Sequence, residues 1–136
     1  MTSEQTPEQI AQARKVITYK RWRWMPGMRW AMLRAAPLEN YYGRICDRGL
    51  PPASGAIPDL SDPATLGCML ALARELYGDP GLYVRLSQAT RVSDGIRAWE
   101  VLGWLNPAGG REVGGSWRSW GFASEAEALC DTIKNA

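Results

Sequence analysis

The stretch from Asp62 to Gly78, DPATLGCMLALARELYG, constrains the fold more than any other part of the chain. Asp62 can accept hydrogen bonds from the free amides of a first helical turn, and proline is well suited to the first helical position. Gly78 can adopt the left-handed conformation that ends a helix. These signals predict a helix over 63–77. No charged residue occurs from Pro63 to Ala73, so we expect this helix to be largely buried and to need other elements around it.

Two further segments carry helix start signals. Thr6-Pro7-Glu8-Gln9 matches a capping box with proline at the first helical position, and it predicts a helix over 6–19. Ser124 and Glu127 form a second capping box, which predicts a helix over 125–134. Apolar residues at three- and four-residue steps follow both starts, so each helix has one stripe that can be buried.

Between the second and third helices, the apolar residues recur at every second position, as in strands. Leu82–Gln88 and Ile96–Trp104 are predicted strands, and the second has apolar residues on both faces, as an inner strand does. The Asp94-Gly95 pair after Ser93 predicts a hairpin turn with positive φ at both central positions. Residues 112–122 return as a third strand. Together, these three strands predict an antiparallel meander over 82–122.

The order of these elements indicates the α+β class, with a three- to four-stranded antiparallel meander packed against two or three helices. Residues 35–60 are rich in Pro, Gly and Asn and predict a long covering loop, with a short strand at Gly43–Cys46. With 136 residues and no linker or repeat, residues 1–136 are expected to form a single domain that buries its own core.

The composition excludes several classes of site. Hydrophobic residues make up 46% of the chain and charged residues 22%, which is typical of a globular protein. Histidine is absent, so catalysis by a Ser-His-Asp or Cys-His arrangement is excluded. Cys46, Cys68 and Cys130 have no CxxC spacing, so we expect no zinc site, and no cofactor is indicated. Cys68 and Cys130 are interpreted as small buried hydrophobes.

No membrane segment is evident in the sequence. No apolar run approaches the roughly 18–20 residues that span a bilayer. The start of the chain, MTSEQTPEQIAQ, lacks the basic and apolar regions of a signal peptide. We therefore expect a cytosolic protein that does not bind membranes.

A basic, tryptophan-rich stretch, KRWRWMPGMRW, covers Lys20 to Trp30. Between Gln9 and Leu38 there are seven Lys or Arg residues and no acid, so a negatively charged partner is a reasonable hypothesis. In an extended chain the first two tryptophans share one face and the intervening arginines the other, as in an edge strand. Two interpretations remain open: tryptophans that cover a core beside solvated arginines, or a cationic aromatic binding face. The candidate partner-binding residues are Lys20, Arg21, Arg23, Arg29, Trp30 and Arg34.

The carboxylates provide weak candidates for catalysis. Glu100 lies on a predicted strand, where partial burial could perturb its pKa. An ion pair with an arginine of a neighbouring strand, such as Arg85 or Arg118, is the preferred interpretation. Asp59 and Asp62 lie close together, but Asp62 already has a capping role. No catalytic residue is predicted, and we expect the protein not to be an enzyme.

Three segments resemble small uncharacterised accessory proteins of tailed bacteriophages and prophages. The main one is DLSDPATLGCMLALARELYGDP over 59–80, and its DPATLGC core is the most specific part. RWRWMPGM over 21–28 resembles the usual beginning of these proteins, and SEAEAL over 124–129 resembles their last helix. The N-terminal helix and the long middle insertion depart from the pattern. The resemblance implies a phage-encoded intracellular accessory protein but no activity and no role for any residue.

These observations lead to three hypotheses about function. The first is a phage or prophage protein that acts by stoichiometric binding to a host or phage protein, inhibiting a host factor or defence system as anti-CRISPR proteins do. The second is a nucleic-acid-binding protein that uses the basic N-terminal third. The third is a structural or assembly component of the phage. The sequence does not identify the target or the oligomeric state.

Overall fold

The protein has an α+β fold with two antiparallel three-stranded sheets, as the sequence predicts for the class. The computed structural model describes residues 5–90, 94–103 and 117–136. It divides into two compact units, Met1–Cys68 and Met69–Ala136, called here the N-terminal and C-terminal units. The elements are α1 (Pro7–Val16), β1 (Arg29–Met32), β2 (Tyr41–Arg44), β3 (Ile57–Pro58), α2 (Pro63–Tyr77), β4 (Tyr83–Thr90), β5 (Arg97–Gly103), β6 (Trp117–Phe122) and α3 (Glu125–Lys134).

Helix α1 begins as predicted but ends earlier. The Thr6 hydroxyl accepts from the Gln9 amide, and the Gln9 side chain accepts from the Thr6 amide, so both halves of the capping box are present. The helix ends at Val16 rather than at residue 19, because the Thr18 and Tyr19 amides bond three residues back instead of four. This tighter winding is common in the last turn of a helix.

The N-terminal sheet is the main departure from the predicted fold. Its strand order is β2-β1-β3, and both pairings are antiparallel. The predicted covering loop at 35–60 therefore contains two strands, and the strand expected at Gly43–Cys46 runs from Tyr41 to Arg44 instead. The meander itself has three strands rather than four, and β1, β2 and β3 form a separate sheet that the sequence did not predict, because these short strands lack the alternating pattern that marks the others.

A glycine sets the close packing between β1 and β2. Trp30 lies directly opposite Gly43, and its indole ring crosses the glycine so closely that a Cβ atom there would overlap it. Because Gly43 has no side chain, the Trp30 indole can occupy this position on the sheet. Gly43 is a strand residue whose neighbour requires it to be small.

The C-terminal unit contains the predicted meander. The strand order β4-β5-β6 puts β5 in the middle, which confirms the inner-strand prediction. One face packs on both helices through a buried cluster of Ala73, Leu82, Val101 and Ala128, with Trp99 beside it. Alternating apolar residues predict the strands, and apolar stripes predict the buried sides of the helices. The sequence pattern therefore predicts this core.

One turn and one strand in this unit depart from ideal geometry. Gly95 has φ +70°, but no described non-glycine residue has positive φ, so the expected positive φ at Asp94 is wrong. Asp94 instead accepts from the Ile96 amide through its side chain, which is an alternative way to close a turn. Gly121 has φ +102° and adds one residue to β6 between the partners of Trp99 and Glu100, forming a bulge. The predicted positions Ser93, Trp104 and 112–116 lie outside the described residues.

Helices α2 and α3 have the predicted bounds. At α3 the Ser124 hydroxyl accepts from the Glu127 amide, while the Glu127 carboxylate accepts from Ala123 rather than from Ser124. Only one of the two hydrogen bonds of the capping box is therefore present. Helix α2 buries its apolar side but exposes a stripe of small residues that includes Gly67 and Ala71. The prediction of a largely buried helix, drawn from the absence of charge over 63–73, therefore overestimated the burial of α2.

Candidate functional site

The basic residues at the start of the tryptophan-rich stretch lie on the surface. Lys20, Arg21 and Arg23 are exposed, whereas Trp22 and Trp24 are partly buried and pack edge to face with ring centroids 5.4 Å apart. The predicted division into inward tryptophans and outward arginines is confirmed for Arg21, Trp22, Arg23 and Trp24. The expected edge strand is not, because residues 17–21 form turns and 22–25 are irregular.

Arg29, which the sequence offers as a partner-binding residue, is instead largely buried. It begins β1, and its side chain is only 15% exposed because its Nη1 donates to Asp59 Oδ2 at 2.9 Å. Asp59 is 1% exposed and also accepts from the Ser61 amide and hydroxyl. The Arg29 amide donates to the Thr65 hydroxyl. A buried carboxylate needs such partners, so Arg29 is committed to the fold.

The last two candidates lie on and after β1. Trp30 is partly buried over Gly43, whereas Arg34 is exposed, with its guanidinium 5.0 Å from the centre of the Tyr41 ring. The structure therefore leaves Lys20, Arg21, Arg23 and Arg34 as surface cations. It assigns Arg29 and Trp30 mainly to packing.

A second ion pair lies beside the first. Arg44, opposite Arg29 in the β1–β2 register, donates from Nη1 to Asp62 Oδ2 at 2.9 Å and to the Gly27 carbonyl at 2.7 Å. Asp62 also accepts from the Thr65 amide and hydroxyl, which confirms its predicted capping role. Arg29, Arg44, Asp59, Asp62 and Thr65 are called here the arginine–aspartate network.

The pKa of Asp62 reports this environment. Burial raises it, but the hydrogen bonds from Arg44 and Thr65 lower it by more, so the net result lies below the ordinary value. Asp62 is therefore held as a carboxylate at neutral pH. Its charge is used to cap α2 and to hold Arg44, and this role is structural.

The MPGM corner and the DPATLGC segment meet in the N-terminal unit. The Cys68 thiol donates to the Pro26 carbonyl at 3.3 Å, and burial raises its pKa. Gly27 has φ +96°, and a Cβ atom there would lie 3.3 Å from the Cys68 sulfur. The MPGM corner therefore packs on the DPATLGC segment, beside the arginine–aspartate network. These residues hold the fold together.

The preferred interpretation of Glu100 is confirmed. Its carboxylate accepts from Arg85 Nε at 2.6 Å, and the two residues are directly opposite in the β4–β5 register. Glu100 is 1% exposed and Arg85 57% exposed. The arginine thus covers the carboxylate from the solvent side, and the side chain of Arg118 lies outside the described residues.

Sequence reasoning missed the surface around β2. Tyr41 and Tyr42 are exposed, and so are Leu38, three residues before the strand, and Leu50, six residues after it. A small depression beside the strand is lined by Gln5, Ile10, Leu33, Asn40 and Tyr42. The adjacent tyrosines were the available signal, but the surrounding Pro and Gly residues favoured a loop.

The described ranges were also searched for metal sites and membrane spans. Within residues 5–90, 94–103 and 117–136, no three His, Cys, Asp or Glu residues are grouped so that they could hold a metal ion. In the same part of the chain, no helix combines the length and apolar character required to cross a membrane.

Comparison of the chain with protein-family models, with curated proteins and with solved structures finds no match. The assignment of function therefore depends on the surface chemistry of the chain itself.

Proposed function

We propose that the chain is a phage- or prophage-encoded accessory protein that acts by stoichiometric binding and inhibits a host factor or defence system. The observation that carries the proposal is the exposed cluster of Lys20, Arg21 and Arg23 on a unit with nine basic and six acidic residues. A surface of this kind attracts an acidic partner and speeds its association.

The engaged state of the carboxylates also supports a binding role. Asp59, Asp62 and Glu100, the acids that the sequence offers for catalysis, each pair with an arginine. These contacts use their charges for stability and capping. Binding through an exposed basic surface needs none of these three carboxylates. We therefore propose that the protein is not an enzyme.

Nucleic-acid binding is the second candidate. The stacking of Arg34 on the exposed Tyr41 ring combines a cation with an aromatic face, which is a chemistry that single strands also use. The low net charge of +2 disfavours it, because phosphate binding depends on neutralising several charges. We therefore place a protein partner first.

The decisive experiment is affinity capture from a host bacterial lysate with the tagged full-length protein. The wild type is expected to retain one host protein in a fixed molar ratio. The Lys20→Ala/Arg21→Ala/Arg23→Ala variant is expected to lose it. The control is Arg14→Ala/Lys15→Ala/Arg48→Ala, which removes the same charge from other exposed positions of the same unit and is expected to retain it.

Binding to mixed-sequence DNA separates the two candidates. We expect no binding at about 50 mM salt, and a nucleic-acid protein would instead bind there and weaken steeply by about 200 mM. Salt-sensitive DNA binding that the Lys20/Arg21/Arg23 variant loses and the control keeps would replace the protein-binding proposal. If the wild type and both variants capture the partner equally, the basic cluster is not its binding surface.

A further inference from the structure

The exposed apolar surface of the N-terminal unit is concentrated at one strand. Its exposed large hydrophobic residues, among those described, are Leu38, Tyr41, Tyr42 and Leu50, and two of the four are in β2 itself. Both of its cation–π pairs, Arg29 on Tyr42 and Arg34 on Tyr41, involve the same strand. Aromatic and arginine side chains are the residues most enriched at the energetic centres of protein interfaces.

The backbone of β2 is available on its outer side. The Ile45 amide donates to the Met28 carbonyl, and the Ile45 carbonyl accepts from Gly27, so Ile45 faces β1. Since peptide groups alternate along a strand, Tyr42 and Arg44 direct their amides and carbonyls away from β1. β2 is an edge in the described sheet, and no described strand pairs with that side. Such an edge accepts a further strand.

The surroundings of this edge indicate what such a strand would carry. Tyr42 of β2 also lines a small depression, together with Asn40, Gln5, Ile10 and Leu33. Arg34 is exposed, and its guanidinium lies over the ring of Tyr41, so one cation lies beside β2. Added strands obtain affinity from main-chain hydrogen bonds and selectivity from pockets for alternate side chains.

We propose that the outer edge of β2 binds an extended segment of a partner protein as an additional strand. The main chain of the segment pairs with that of Tyr42 and Arg44, an apolar side chain enters the depression beside Tyr42, and an acidic side chain contacts Arg34. That the partner is a protein rests on the proposed function. The binding residues, however, differ from the basic cluster of Lys20, Arg21 and Arg23.

The test uses the full-length protein and a blocked decapeptide of alternating valine and glutamate. Amide hydrogen exchange, followed by nuclear magnetic resonance, is expected to show that the peptide slows exchange at Tyr42 and Arg44 selectively. An analogue with lysine in place of glutamate should bind more weakly, and one with N-methylated central residues should not protect either amide. Absence of protection by the valine–glutamate peptide at about 1 mM would overturn the proposal.

Two variants at one position separate the backbone from the side chain. Tyr42→Ala removes the ring and keeps the amide, whereas Tyr42→Pro also removes the outward donor without removing a bond to β1. We expect the proline variant to bind the peptide about fivefold more weakly than the alanine variant. Equal affinities would contradict strand addition. The exchange result on the wild type does not depend on whether the proline variant folds.

Other outcomes separate this inference from the proposed function. Protection that rises with protein concentration in the absence of peptide would assign the edge to a second copy of the chain and overturn the proposal. If Tyr42→Pro captures the host partner as well as Tyr42→Ala while the Lys20/Arg21/Arg23 variant loses it, the edge assignment alone fails. If the peptide protects the amides and the Lys20/Arg21/Arg23 variant still captures the partner, the edge stands and the basic-cluster assignment fails.

Discussion

At the scale of single residues, position decides whether an arginine holds the fold or is available at the surface. Arg29 and Arg21 belong to one short basic stretch, yet Arg29 pairs with the buried Asp59 and Arg21 is exposed. Removing one partner of a buried pair leaves the other charge uncompensated, and this costs more than the pair itself contributes.

We predict that Arg29→Ala lowers the free energy of unfolding by about 3 kcal/mol or more. Arg21→Ala, the matched control, should change it by less than about 0.5 kcal/mol because its side chain is exposed. Urea unfolding followed by tryptophan fluorescence measures both. Similar stabilities for the two variants would contradict the structural role of Arg29. An Arg29→Met/Asp59→Leu double variant should recover part of the loss, since it removes both charges but also removes the acceptor of the Ser61 amide and hydroxyl.

Two glycines are predicted to respond to alanine in opposite directions. A Cβ atom at Gly43 would overlap the Trp30 ring, so Gly43→Ala should destabilise the protein by about 1–3 kcal/mol. A Cβ atom at Gly67 would meet nothing within 4 Å, and Gly67 lies within α2, so Gly67→Ala should stabilise it by about 0.5–1 kcal/mol. Thermal unfolding by circular dichroism distinguishes the two signs. A stabilising Gly43→Ala would show that the indole can move without cost.

At the scale of elements, the start of α2 links the helix to the N-terminal sheet. Asp62 caps the helix through Thr65 and holds Arg44 of β2 with the same carboxylate. A local capping signal is therefore also a tertiary contact. Because this carboxylate does both, its protonation is expected to weaken the helix end and the β2 attachment together.

The stability of this junction should depend on pH in a defined direction. The pKa of Asp62 is lower in the folded chain than in the unfolded one, so its contribution is complete above about pH 4 and is lost as pH falls through the folded-state pKa. We predict that the difference in unfolding free energy between wild type and Asp62→Asn shrinks below about pH 4. Urea unfolding at several pH values measures it. A constant difference throughout would contradict the assigned coupling, and Arg44→Gln should flatten the same part of the wild-type profile.

At the scale of the whole molecule, α2 contributes residues to both compact units. Pro63–Cys68 belongs to the N-terminal unit and Met69–Tyr77 to the C-terminal unit. Unfolding of either unit removes packing from part of one continuous helix. The sequence-based prediction of a single domain therefore has a direct consequence: both units should unfold in one cooperative transition.

The three cysteines allow this transition to be measured in each unit. Cys46 is exposed, Cys68 is partly buried in the N-terminal unit, and Cys130 is buried in the C-terminal unit, where burial raises its pKa to about 12. In pulsed thiol labelling with peptide mapping, Cys46 should react at every urea concentration and serves as the control. Cys68 and Cys130 should become reactive at the same urea midpoint. Two separate midpoints would contradict the single-domain prediction.

The sequence by itself determined the parts of this protein whose signals are local. The bounds of α2 and α3, the capping box of Thr6 and the inner position of β5 follow from caps and from the apolar period. The pairing of Glu100 with Arg85 was also accessible, because adjacent strands of a meander place such residues side by side. Each of these features depends on interactions between residues a few positions apart or on one hairpin.

Only the tertiary structure decided which cations remain available and where the N-terminal sheet has its edge. Arg29 meets Asp59 thirty positions away, and Arg44 meets Asp62 eighteen positions away. Short strands such as β2 and β3 are stabilised by their partners rather than by their own pattern, since a few residues carry too little periodicity to be recognised. The candidate β2 edge was therefore hidden in a segment that resembled a loop, because pairing between distant residues has no local signal.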